Sequence, residues 1–294
     1  MWRAAEGEYR VDYNKSVVEV CRDFVAFAVN KTGSLDIICQ PWAPAAYRRQ
    51  LPSWIATLAD REIQDGLHAR VQADALVGLA GTNKKQYNAS RRYPVAYSFG
   101  DQSIGSLFVD GCILDSIKET GPIAQIGVPT KWRELGGWNG GSPPPERFWR
   151  TLTGNRGQDA SNPPHYFQRA CAFFFASERT TDDQYATAVR DDHPEFVAEF
   201  LQRVQAIIWK RRMIITDQER LLGLAPEGVQ DGDLICIIFG CSVPVVLRKV
   251  VSDEMTGEHH YELVGDCYIH GMMDGEAFTM QQTRNIPQTQ FELR

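Results

Sequence analysis

The sequence predicts an α+β fold, with helical N-terminal and middle segments packed on hairpins and a small antiparallel β-sheet or barrel at the C-terminus. Three observations predict it. Apolar residues recur at three- and four-residue steps from Asp12 to Gly33 and again from Pro194 to about Trp209. The period switches to alternation at Val95, Tyr97 and Phe99, and the last third is a series of short β-branched runs split by turn residues. At 294 residues, with 43% apolar and 11% aromatic side chains, the chain can fill a substantial core. It is expected to be a single compact unit, 1–294. Sub-boundaries, if any, divide it into a helix-plus-hairpin region 1–135, a helical segment 136–210 and a β-rich module 211–294.

Taken in order, the first helix carries Val17, Val20, Cys21, Phe24, Phe27 and Ala28 on one stripe, with Asn14 placed to cap its start and Gly33 to end it. "LDIICQPWAP" and "LPSWIATLAD" are short apolar segments, and Trp42 and Trp54 are expected to bury against that helix. The small, polar stretch Gln64 to Lys85 reads as a mobile connection. "YPVAYSFGDQSIGSLFVDGCILDSIKETG" reads as a hairpin turning at Gly100 to Gly105. Its second strand carries Leu107, Val109 and Ile113, and Asp110-Gly111 reads as a bulge or second bend.

"ELGGWNGGSPPPERFW" marks a boundary or an active-site lid, and Pro145 sits where a helix can begin. Helices follow over Glu146 to Leu152, in "HYFQRACAFFFAS", and after Pro194, where Phe196, Phe200, Val204, Ile207 and Ile208 share a face. "RMIIT", "LLGLAP", "DLICIIFG", "VPVVLRKVV" and "YELVGDCYIHG" read as strands. Ile235, Ile237 and Phe239 alternate with the equally apolar Cys236 and Ile238, so that strand is expected to be central and covered on both faces.

Composition also excludes classes of function. A net charge of −6, from 31 basic and 37 acidic residues, argues against nucleic acid as a partner. The basic clusters "KWR", Arg91-Arg92 and "WKRR" read as solvated faces or helix ends rather than phosphate sites. No apolar run is long enough for a membrane span and the N-terminus lacks a secretory core, so the chain is expected in the cytosol. The seven cysteines, odd in number and set in apolar runs, read as buried free thiols. Cys267 and His270 have opposite parity on a strand and do not read as a nucleophile–base pair. With no dinucleotide fingerprint, phosphate loop, metal constellation or nucleophile elbow, no cofactor and no metal are expected.

"LLGLAPEGVQDGDLICIIFGCSVPVVLRKV" followed by "YELVGDCYIHGMMDGEAF" resembles the C-terminal region of fungal heterokaryon-incompatibility (HET) domain proteins. In that family a Gly-Asp turn opens a hydrophobic strand, a proline-containing hairpin leads to Leu-Arg, and a strand runs into a His-Gly-x-Met-Asp-Gly-Glu turn. Here these elements are Gly232-Asp233, Pro244, Leu247-Arg248 and His270 through Glu276. "YNKSVVEVCRDFVAFAVNKTGSLDII", "LPSW" and "YNASRRYPVAYSFGDQSIGSLFVDGCILDSI" are similar to earlier segments of such proteins, so the resemblance spans nearly the whole chain. It implies an upstream HET domain, related to TIR domains and associated with triggering cell death; the residues before Tyr13 are too few to encode one. The "LPSW" motif continues as "IATLAD" where the family has Val-Pro-Asp-Trp.

Two functions are compatible with this reading. One is a stand-alone derivative that binds an apolar small molecule and promotes a cofactor-independent cyclisation or rearrangement in fungal secondary metabolism. The alternative is an interaction or regulatory module of heterokaryon incompatibility that acts in trans on a fungal protein partner. A deep apolar hollow favours the first and a filled core the second.

The candidate catalytic pair is His270, as a hydrogen-bond donor or proton relay, with Asp274 orienting it; the structural alternative is a turn in which both bond only backbone. Arg248 and Glu276 are expected to form an ion pair across the sheet. Trp54, Trp132, Trp138, His165, Tyr166 and Tyr268 are the candidate substrate-binding residues, with ordinary core packing as the alternative, and Gly136 to Pro145 is the candidate lid.

Overall fold

The computed structural model describes residues 12, 14–58, 76–77, 85–91, 93–100, 104–125, 127–140, 143–157, 161–177, 194–253, 255, 257–279 and 287–294. Most of the connection expected at Gln64 to Lys85 lies outside the described residues. The helices are α1 (Val17–Thr32), α2 (Lys131–Leu135), α3 (Glu146–Leu152), α4 (Phe167–Ser177) and α5 (Glu195–Ile208). The strands are β1 (Tyr97–Phe99), β2 (Leu107–Ile123), β3 (Arg211–Thr216), β4 (Leu222–Pro226), β5 (Leu234–Ile238), β6 (Val245–Asp253), β7 (Glu258–Asp266), β8 (Tyr268–Ile269) and β9 (Gln288–Leu293). Mixed helices and strands with a barrel in the C-terminal half are the architecture the sequence predicts.

Five strands close a ring: β5 pairs β6, β6 pairs β7, β7 pairs β9, β9 pairs β2, and β2 returns to β5. All five send alternate residues into one cluster that includes Leu107, Val109, Ile238, Leu247, Leu263 and Phe291. On β7 and β9 the opposite set includes the exposed Glu262 and Gln290, and on β6 it includes the half-buried Arg248. The shared cluster is therefore the interior of the barrel, filled by side chains as small barrels are.

Helix α1 joins that cluster through Cys21, Val25, Ala28 and Val29. Its cap differs from the expected Asn14. Ser16 accepts from the Glu19 backbone amide while the Glu19 carboxylate takes the Ser16 amide, a reciprocal capping box, and Gly33 ends the helix at φ 63°. Trp42 packs its ring 4.7 Å from Phe24, and Trp54 is fully buried in the same cluster.

The far half of β2 leaves the barrel and pairs with β3, which continues through β4 to β8. This second sheet is buried on both faces. Met213, Ile215, Leu222, Leu224 and Tyr268 face the helices, whereas Ile214, Ala225 and Ile269 pack with Ile235, Ile237 and Val246 of the barrel's outer surface. Helices α3 and α5 each begin directly after a proline, Pro145 and Pro194, where the missing N–H costs nothing. With α2 and α4 they bring Trp132, Phe148, Phe167 and Phe200 onto the sheet. No helix among the described residues is long and apolar enough to cross a membrane.

Two expectations are corrected by this topology. Asp110-Gly111 makes no bend, because both residues sit within continuous β2 and pair with β9. Strand β9 has no counterpart in the sequence reading: its "QTQFEL" buries only Phe291 and Leu293 and looks like an exposed tail until it closes the ring. The central position expected for β5 holds, since it lies between β6 and β2 with Ile235 through Ile238 fully buried. All seven cysteines are free thiols.

Gly111 is where β2 and β5 approach most closely. A Cβ there would stand 2.3 Å from the Ile237 carbonyl oxygen, so the strands could not keep their spacing. Gly111→Ala is expected to lower stability by about 1–3 kcal/mol, the usual cost of forcing atoms into a packed interior, as read from the urea unfolding midpoint.

Candidate functional site

The turn after β8 is built from glycine and short polar residues. Gly271 and Gly275 adopt φ of 78° and 89°, and a Cβ on Gly275 would lie 2.7 Å from the Arg91 side chain. His270 leaves the sheet here, its backbone N–H donating to Leu222 O at 2.9 Å. The Tyr268 hydroxyl is 3.2 Å from His270 Nδ1, and the Tyr268 ring lies 6.1 Å from that of Tyr87. Both tyrosines are fully buried.

Around this pair the chain is stitched together from distant segments. Tyr87 donates its hydroxyl to Gly154 O, and Asn88 N–H donates to Met273 O at 2.9 Å. Arg156 lies over the Tyr87 ring at 4.7 Å, donates to Gln86 O, and pairs with Asp274 at 2.9 Å. The buried Arg203 of α5 donates through Nε to Thr153 O and Arg156 O. Segments 86–88, 153–156 and 268–274 and helix α5 are thereby fixed to one another.

Electrostatics keep the corner neutral at its centre. Burial pushes the Tyr87 phenol up to about 12, and burial with the neighbouring Tyr87 pushes Tyr268 well above its ordinary value. Burial lowers His270, helped by the cations Arg150 and Arg147 and opposed by Glu146 of α3. The imidazole is therefore held in its neutral form. Its Nε2 has no hydrogen-bond partner among the described residues.

The expected catalytic pair does not assemble. Asp274 gives its carboxylate to Arg156, and no hydrogen bond joins it to His270. The ion pair expected between Arg248 and Glu276 is replaced, because a nearer carboxylate exists: Asp233, in the Gly232-Asp233 turn, takes Arg248 through Nε at 2.9 Å and Nη2 at 2.8 Å. Glu276 instead accepts the Asp274 backbone N–H at 2.6 Å.

The aromatic candidates are dispersed. Trp54 is buried against α1 and donates Nε1 to Gly105 O at 2.8 Å, whereas Trp132 is buried under the helices and donates Nε1 to Pro122 O at 2.9 Å. His165 and Tyr166 are exposed before α4, with the Tyr166 hydroxyl bonded to Glu199. Trp138 lines an open cleft, of about 560 Å³, with Arg133, Pro143, Pro144, Arg169 and Phe175. A second, larger cleft of about 1090 Å³ lies at one end of the barrel and is lined by Arg48, Ser53, Ile55, Lys210, Glu227 and Asp266 among others.

Sequence reasoning missed the two most buried ion pairs. Arg211 holds Asp266 with contacts at 3.0 and 3.1 Å, and Arg248 holds Asp233. It also missed Asp115: burial raises its carboxyl, but hydrogen bonds from the amides of Glu219, Ser116 and Gln218 and from Thr216 outweigh that and bring it below the ordinary value. Arg-Asp partners many residues apart leave no spacing signal.

With this geometry in place, comparison with known families is informative. Residues 174–286 match the model of the Het-6 beta-barrel domain. This HET-related span begins in α4 and contains β3 through β8, including the His270–Glu276 turn. The barrel of this chain also uses β2 and β9, which flank the matched residues. The model links the span to fungal heterokaryon incompatibility. No curated protein and no solved structure matches the chain.

Two outcomes test the corner as a structural joint. Tyr87→Phe leaves the buried Gly154 carbonyl without its donor and is expected to cost about 1–3 kcal/mol by chemical denaturation. Because the folded pKa of His270 lies below the unfolded value of 6.5, stability from the neutral imidazole is complete above that pH. It is lost as pH falls below 6.5 toward the folded pKa. His270→Gln is expected to flatten the stability–pH curve over that range; an unchanged curve counts against a buried neutral imidazole.

Proposed function

We propose that this chain is a non-enzymatic interaction or regulatory module of the heterokaryon-incompatibility type, acting on a fungal protein partner. The single observation behind this reading is the Het-6 beta-barrel match over residues 174–286. Two features of the geometry support it. The barrel interior is filled by side chains from all five strands and α1, and the Asp274 and Glu276 carboxylates of the motif turn are engaged in internal bonds. Architecture carried by such a motif serves a surface rather than a reaction chamber.

The second reading, a cofactor-independent cyclisation or rearrangement of an apolar small molecule in secondary metabolism, is favoured by the cleft beside Trp138 and the glycine–proline loop. It has less behind it. Trp54, Trp132 and Tyr268, which it needs as pocket walls, are fully buried with their polar atoms already engaged.

The two separate in a co-expression experiment. Producing the chain in a filamentous fungus together with a HET-domain protein is expected to change the frequency of cell death, scored by vital-dye uptake, and the two purified proteins are expected to bind each other. Host metabolite extracts incubated with the purified chain are expected to be unchanged by mass spectrometry. Consumption of a metabolite that Trp138→Ala abolishes, with no effect on cell death, would replace the interaction reading by the enzymatic one.

A further inference from the structure

The cleft between α2, the glycine–proline loop and α4 is lined by two cations that have no carboxylate partner among the described residues. Its volume of about 560 Å³ falls within the range of about 300–1,000 Å³ in which small-molecule sites lie. Arg133 sits 4.9 Å from the Trp138 ring centre and 5.5 Å from that of Phe175, so its guanidinium is held against two aromatic rings. Its Nε is buried and has no hydrogen-bond partner. Arg169, on the same cleft, lies 5.3 Å from the Phe196 ring.

Neither guanidinium has a carboxylate partner among the described residues, whereas Arg150, Arg156, Arg211, Arg248 and Arg294 all do. What sets these two apart is that both line one cleft, whose lining includes no carboxylate among the described residues, so its charge is positive. Gly140, at φ 92°, brings the loop against Arg133; a Cβ there would lie 2.6 Å from Arg133 Nη2. The other walls are Pro143, Pro144 and Ala172, which offer only apolar surface.

We propose that this cleft binds a small organic carboxylate carrying a flat apolar body. The carboxylate accepts hydrogen bonds from Arg133 and Arg169, the planar fork geometry that guanidinium groups offer to carboxylates. The apolar body lies along Pro143, Pro144 and Phe175. This inference is independent of the role proposed above, since binding a ligand here needs neither a reaction nor a protein partner.

The test uses the full chain and two isosteric probes, 1-naphthoate and its neutral amide, 1-naphthamide, measured by isothermal titration calorimetry. The naphthoate is expected to bind saturably and at least about tenfold more tightly than the amide, as loss of a charged hydrogen-bond partner implies. Arg169→Gln changes an exposed side chain and is expected to weaken naphthoate binding about tenfold, with the thermal midpoint unchanged. Arg133→Gln is expected to weaken it as much or more, with its melting curve recorded alongside because that side chain also packs on Trp138. Equal affinity for the two probes, no binding of either, or unaltered naphthoate affinity in Arg169→Gln would overturn the proposal.

Discussion

Strand β2 is the constraint on which the rest of the molecule depends. It is continuous from Leu107 to Ile123, yet it serves β1 and β9 near its start, β5 in its middle and β3 at its end. Closing the five-strand ring and launching the second sheet from the same backbone requires its pairing partner to change along its length. Gly111 permits the close approach to β5, and the register shift between Ile113 and Asp115 redirects the strand as it leaves the ring. Asp115, buried at that shift, accepts the amides of Gln218 and Glu219 beyond the end of β3, so the same point also fixes the next strand's exit.

From that spine the layers follow. The barrel is filled on its inner side by α1, the second sheet lies on its outer side, and the aromatic faces of α3, α4 and α5 cover the sheet. Where these layers meet, ion pairs add to the apolar contact. Arg211 with Asp266 ties β3 to the end of β7, and Arg156 with Asp274 ties the helical layer to the turn after β8. Such pairs contribute mainly by fixing which segments meet, since a partly buried ion pair gains little net stability once desolvation is counted.

The distribution of empty space bears on function in the same way. The barrel, the natural container in this architecture, is occupied by its own side chains; the smaller described cleft lies among the covering helices, and the larger opens at the barrel's end, where Ile38, Ile55 and Leu263 of the interior cluster line it. In the motif that carries the family likeness, the Asp274 and Glu276 carboxylates are taken up by internal bonds. Arg133 and Arg169, which have ring contacts but no carboxylate partner among the described residues, come from segments that the sequence marks only as a short basic cluster and a helix face. The ligand site proposed for the Trp138 cleft accordingly lies on the covering helices and loop, with the barrel as the frame that holds them.

The sequence by itself determined the elements whose identity is local. The stripe of α1, the prolines opening α3 and α5, the all-apolar β5 and the glycine turns after β8 are each dictated by spacing, capping or allowed dihedrals within a few residues. Only the tertiary structure decided what depends on meeting a distant segment: that "QTQFEL" closes a barrel, that Asp110-Gly111 runs straight, that Arg248 chooses Asp233 over Glu276, and that Asp274 turns to Arg156 instead of His270. The physical reason is that periodicity records which face of an element is buried, whereas the partner of a charge or a strand edge is selected by distance in space, and that distance is set only once the chain has folded.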